Sequence, residues 1–282
     1  MSDNQLIGLA EDFFQNSLDS SPTSAIMRGH KKYFDQIEEL TEDQFQKEKE
    51  TVDNFIQRLN AIEKDSLTSR EQVTHGMLEF ALSSNQDSLL DRSWEFGAGV
   101  SGFTGFLIDY NQQMFVPDSE SADMMLKRLE LYKRLYTQIA EVQKEGLNNN
   151  RVATERNLLR TIDQLENYLA SSLDQDPLLL VNFSPEISGS EISEWKDKAK
   201  NIIEANIRPT VSAYLDQLKT EHLPKGRGDD KCGIMWIDGG EESYLRSLRK
   251  YTGHKEITVK EVHEIGLSEI ERLKKEFFEI GK

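Results

Sequence analysis

Chemistry in a chain of 282 residues would most readily begin from its five histidines, His30, His75, His222, His254 and His263, or its single cysteine, Cys232. A zinc centre needs ligands converging at fixed spacing, such as two histidines one helical turn apart. No two of the five stand at that spacing. His263-Glu264 begins like H-E-x-x-H, but the fifth position is Leu267. No metal ligand is therefore assigned, and each histidine reads as a surface or packing residue. Cys232 lacks the context of a nucleophile, and no G-x-S-x-G elbow occurs. Gly97-Ala98-Gly99-Val100-Ser101-Gly102 spells G-x-G-x-x-G, yet a capped helix precedes it and no βαβ pattern follows, so it lacks the context of a dinucleotide site. Arg227-Gly228-Asp229 reads as a surface turn. Carboxylates are spread over helix faces, and no pair among them is specific. No catalytic residue is assigned.

The elements that would have to position any site are helices. Thr41…Gln44, Thr68…Glu71, Ser188…Glu191 and Thr258…Glu261 all show capping-box spacing ahead of apolar residues at steps of three and four. The first helix runs from Asp3 to about Leu18, with Leu6, Ala10, Phe13, Phe14 and Ser17 on its packed side, and Pro22 ends the break behind it. A second long helix uses Phe45, Lys49, Val52, Phe55, Leu59 and Ile62 as its seam, and a third runs through Met77, Leu78, Ala81 and Leu82 to about Leu90. Further helices are read over Ser119–Glu145, with Gly146 as the stop, and from Arg151 to about Leu173. The longest helix follows Ser188, its inward side carrying Trp195, Ala199, Tyr214 and Leu218, and Pro209 should kink it near Arg208. Cys232–Gly240 reads as a loop or a short strand pair.

Glu241–Tyr251 is a short helix, followed by a break at Thr252-Gly253-His254. A terminal helix then keeps Val262, Gly266, Ile270, Leu273, Phe277 and Ile280 on one face. The fold class is all-α: an irregular multi-helix array of about eight to ten helices in a single unit over 1–282, with a point of subdivision near 176–190.

Residues 94–117 interrupt this pattern. Trp94, Phe96, Gly97, Gly99, Gly102 and Tyr110 belong to a run rich in glycine and aromatics. Glycine lets backbone pass close to another surface, and the aromatics seek burial. These six are the candidate lining of a substrate cleft.

With 34 basic against 50 acidic residues, the net charge of −16 argues against nucleic acid, which demands a cationic footprint, and against anionic membrane surfaces. The lone cysteine excludes an internal disulfide and fits a reducing compartment. The N-terminus lacks a basic leader and no apolar run reaches membrane-spanning length, so a cytoplasmic location is expected.

The order of segments resembles the N-terminal half of a bacterial family known as domain of unknown function eight-eight-five, made of α-helical, zinc-peptidase-like proteins, some of them lipoproteins. The best match is Tyr244-Leu245-Arg246-Ser247-Leu248-Arg249-Lys250-Tyr251-Thr252 with Ile257-Thr258-Val259-Lys260-Glu261-Val262-His263-Glu264-Ile265-Gly266-Leu267. It is similar to the family's "Y-x-x-x-L-R-x-x-T … L-T-P-E-E-I-H-x-L-G-L", with Val259 in place of proline. Pro22–Gly29, Arg208-Pro209 to Tyr214, His222-Leu223-Pro224 and Asp238-Gly239 match further family strings in order. The resemblance implies a metallopeptidase-like protein roughly twice this length, whose zinc histidines ("P-G-H-H") and "E-G-W" glutamate lie in the second half. Neither string occurs here, so no cofactor is expected in this chain and zinc is implied only for the longer family protein. Tyr244, Arg249, Thr252 and His263 are motif residues without an assigned role. The chain would form one wall of a peptide-substrate cleft that the other half completes; the rival reading is a stand-alone helical interaction module without enzymatic activity.

Overall fold

The computed structural model describes residues 2–98, 105 and 110–282, the side chains of 2–4 excepted. The fold is all-α. The helices are α1 (Ser2–Asp19), α2 (Pro22–Met27), α3 (Glu42–Asn60), α4 (Ser69–Asp91), α5 (Tyr110–Gln113), α6 (Ser119–Asn148), α7 (Glu155–Ala170), α8 (Gly189–Ile202), α9 (Arg208–Gln217), α10 (Gly240–Thr252) and α11 (Val259–Ile280). Two-residue strands, β1 (Phe115–Val116) and β2 (Asn182–Phe183), pair in parallel.

The N-cap signals act as their chemistry demands. Thr68, Ser188 and Thr258 each accept from the amide three residues on, while the glutamate there reaches back to the cap amide. Thr41 accepts from the Gln44 amide, but the Gln44 side chain turns to Glu48 instead.

Packing forms two cores. α1, α3 and α4 bury Leu6, Leu9, Val52, Phe55, Leu59 and Leu82 in a small bundle. The larger core gathers around α6, whose Met125, Leu129, Tyr132, Leu135, Tyr136 and Ile139 are wholly buried. Leu178 and Leu179, in the segment behind α7, belong to the same core. Two polar knots cross it. Arg128 reaches the Gln36 carbonyl and donates to Thr23 Oγ1 at 2.5 Å. Asp176, fully buried, accepts from Arg208 at 3.1 and 3.2 Å and from the Leu178 amide at 3.1 Å, while Arg208 lies over the Tyr168 ring. A buried carboxylate persists only with such compensation.

Several expectations are corrected. Gly146 does not stop its helix, since α6 runs on to Asn148; the glycine instead permits a close approach, because a side chain at 146 would collide with the backbone of Glu95. The helix continues through Pro209, with a π turn over Ile203–Ile207 joining α8 to α9 just before the proline and a second π turn over Leu218–His222 after α9. A π turn widens the helix where the proline ring and its missing N–H would otherwise conflict with the preceding turn. α7 begins at Glu155 and not at Arg151, since Val152–Thr154 is buried and Thr154 bridges to Arg227. Phe14 and Met77, placed on packed faces from their spacing, are exposed. Cys232–Gly240 contains a 3-10 turn, Ile234–Trp236, and Cys232 is exposed.

Candidate functional site

Helices α10 and α11 form an arm whose attachment is polar. Gly240 begins α10 hard against the Ile234 carbonyl, where no Cβ could fit. One side of α10 then meets α4. Ser243 Oγ donates to Asp91 at 2.8 Å, Arg246 Nε to the same oxygen at 2.5 Å, and Lys250 Nζ to Ser88 at 3.3 Å. Beyond the break at Gly253, which takes the left-handed conformation a helix end favours, Lys255 pairs with Glu79 at 2.6 Å.

The other side of the arm is bare. Tyr244, Arg249, Thr252 and His263, the family-motif residues, are all exposed. Thr252 has a local task, donating to the Leu248 carbonyl at 2.7 Å and accepting from the His254 amide at 3.2 Å. Tyr251 is 85% exposed. α11 has no buried residue at all, and Ile270, Leu273, Phe277 and Ile280 of its apolar stripe stand in solvent. Its surface is otherwise laced by local ion pairs such as Arg272 with Glu269 and Glu276. A stripe of that width ordinarily faces a core; here no described residue of the chain covers it.

The second feature is the junction behind α4. Arg92 takes a left-handed backbone conformation (φ 44°) and turns the chain into a 3-10 turn, Ser93–Glu95. Its guanidinium binds both carboxylate oxygens of Glu42, at 3.0 and 2.8 Å, and pairs with Glu95 at 2.5 Å. These hydrogen bonds hold Arg92 above the usual guanidinium range and Glu42 below the usual carboxylate range. Glu95 is 3% exposed and meets Arg151 at 2.6 Å; Arg151 also reaches the Asp91 and Asp238 carbonyls. The chain Arg92–Glu95–Arg151 thus ties α4, α6 and the turn before α10 together, and a cavity of about 830 Å³ opens beside it, walled by Thr41, Glu42, Glu141, Glu145 and Asp238.

Of the six proposed cleft residues, Trp94, Phe96, Gly97 and Tyr110 are described, each with different neighbours. Trp94 stacks on Phe45 at 4.0 Å, with Arg92 5.6 Å from its ring, and faces a cavity of about 320 Å³ shared with Phe13 and Glu48. Burial pushes the Glu48 carboxyl up. Phe96 is covered by the Arg151 guanidinium at 5.1 Å, Gly97 is half-buried, and Tyr110 packs at the edge of the large core. Gly99 and Gly102 lie outside the described residues. Sequence reasoning missed Asp91, Arg92, Glu95 and Arg151. The signal for Glu95 was present: a carboxylate between Trp94 and Phe96 needs a cationic partner when the aromatics are buried.

The junction carboxylates Glu42 and Glu95 are held by arginines. Among the described residues no three histidine, cysteine or carboxylate side chains converge as metal ligands. Nor, among them, is any helix long and apolar enough to cross a membrane.

Comparison with known proteins follows from this geometry. No curated protein matches the chain. The crystal structure of a protein described as a lipoprotein from Colwellia psychrerythraea is similar, with a TM-score of 0.79 at 16% identity, covering 96% of this chain and 49% of that one. At that identity the likeness shows the fold, and the chain spans about half the length of that protein. A family profile described as bacterial protein of unknown function (DUF885) matches residues 22–282, nearly the whole chain, and the chain belongs to that family.

Proposed function

We propose that this chain is the non-catalytic, N-terminal helical half of a larger metallopeptidase-like protein, supplying one wall of a peptide-substrate cleft whose zinc site lies in the complementary half. The observation that carries the reading is the uncovered arm. A 22-residue helix with a full capping box and an unbroken apolar stripe, none of it buried, belongs to a larger core. The relative of about twice the length supports the same view. The open cavity lined by Arg92, Arg151 and five carboxylates is the candidate wall, and its excess of carboxylates suits a cationic group of a peptide, such as its terminal amine or a lysine. A stand-alone interaction module is the less favoured reading, because it would more naturally bury its own terminal helix.

The test joins the part of the Colwellia protein outside the match to this chain after Lys282, with the chain alone as control. Peptide hydrolysis that tracks bound zinc in the fusion, and its absence from the control, supports the reading. A folded fusion that binds stoichiometric zinc yet cleaves no peptide, or that binds none, overturns it.

A further inference from the structure

α4 carries a second exposed apolar row, and the chain passes its side at Lys255 just before α11 begins. Val73, Met77 and Phe80 are 63%, 68% and 47% exposed, and they continue at steps of three and four into Ser84, Ser88 and Asp91. On a helix, residues so spaced share one face. α10 occupies the C-terminal stretch of that face through Asp91 and Ser88, and it ends at Thr252. The N-terminal stretch of the same face is therefore left open, next to the Lys255–Glu79 contact where the chain turns into α11. α11 extends about 33 Å from there at 1.5 Å per residue.

We propose that these two surfaces form one seat: the Val73–Met77–Phe80 ridge and the Ile270–Leu273–Phe277–Ile280 stripe. Its occupant is a helical unit of the longer family protein, lying beside α10 on α4 and along α11. Three observations select that occupant. α10 already shows that this α4 face accepts a helix. The apolar residues of α11 recur at helical spacing, the pattern that packs against a helix by ridges and grooves. And about half of the solved relative lies outside the match, which is ample length to supply the partner. The seat rests on the reading that the chain is part of a longer protein, but on nothing about zinc or peptides.

Its test uses the same fusion with different readouts. In a Cys232→Ser background, Phe277→Cys and, separately, Met77→Cys report accessibility by thiol labelling. The chain alone should label both sites at the rate of a free thiol, and the fusion should label both slower by at least about tenfold, the protection expected of a closed packing contact. Leu273→Asp should return the rate at Phe277→Cys toward that of the chain alone. Equal rates in fusion and chain overturn the seat. So does slow labelling of the chain alone together with a dimer in light scattering, which would make a second copy the occupant. Protection conferred by phosphatidylglycerol vesicles would make it a lipid surface, and likewise overturns the proposal. Protection without peptidase activity sinks the proposed function and leaves the seat standing; peptidase activity with unprotected thiols does the reverse.

Discussion

Replacing Gly146 by alanine should destabilise the protein, although alanine is the better helix former. A Cβ at 146 would stand 2.6 Å from Glu95 Cβ and would also strike the Glu95 carbonyl oxygen. Carbon atoms rest at about 3.5–4.0 Å, so the two segments must part by about 1 Å. Overpacking of this kind costs about 1–3 kcal/mol, and here the atoms struck are backbone, which cannot rotate away. The shift would also pull Glu95 from Arg92 and Arg151. Against this, glycine to alanine in a helix interior contributes up to about 1 kcal/mol. Because backbone cannot give way the cost lies at the upper end, about 3 kcal/mol, and the net loss of about 2 kcal/mol lowers the unfolding midpoint by about 0.7 M at a urea slope of about 3 kcal/mol per molar. Far-UV circular dichroism reads it. Gly76→Ala is the matched control: it sits inside α4 with nothing within 4 Å of a new Cβ, and its midpoint should rise by about 0.3 M. If Gly146→Ala also raises the midpoint, the close approach of α6 to the 3-10 turn is not there.

Other outcomes follow from the same structure. Asp176→Ala strands the Arg208 guanidinium in the large core and should cost about 3–5 kcal/mol in urea unfolding, as removal of one partner from a buried pair does. Leu129→Ala should cost about 2–5 kcal/mol, whereas Leu273→Ala should stay within about 0.5 kcal/mol, since the one side chain is fully buried and the other exposed; equal losses would mean that α11 is packed in solution. Burial pushes the phenols of Tyr136, Tyr168 and Tyr214 up, so they stay protonated in the fold while unfolded tyrosine ionises near 10. Their contribution is fully present below about pH 10 and is lost as pH rises above it. Absorbance near 295 nm should therefore show the exposed tyrosines ionising first and the buried ones only with alkaline unfolding.

Most of the fold was legible because its helices announce themselves locally: a side-chain cap and a periodic apolar face sit within one stretch of chain. What escaped is whatever depends on a distant partner. Glu95 and Arg151 are paired across 56 positions, and nothing near either names the other. Gly146 looks like a stop until Glu95 is placed against it. Phe14 and Met77 have the spacing of packed residues, but spacing cannot say whether a face meets this chain or another. The same limit applied to α11: its amphipathic stripe was plain, while its lack of cover was visible only once the rest of the chain had been placed. The family strings did point to the arm, since Tyr244, Arg249, Thr252 and His263 all fall on it.

The π turn between α8 and α9 bears on how this helix could tolerate a change of length. The buried residues Ala199, Ile203, Ile207, Val211 and Leu215 recur every four positions, a period longer than the 3.6 of an α-helix. In a plain α-helix that row would wind about 40° around the axis at each step; the wider turn over Ile203–Ile207 takes up part of that winding. Each π turn thus acts as a stored extra residue. Deleting one residue near Ala205 should therefore convert that π turn to plain α-helix and leave the helix unbroken, a change of winding and not of loop.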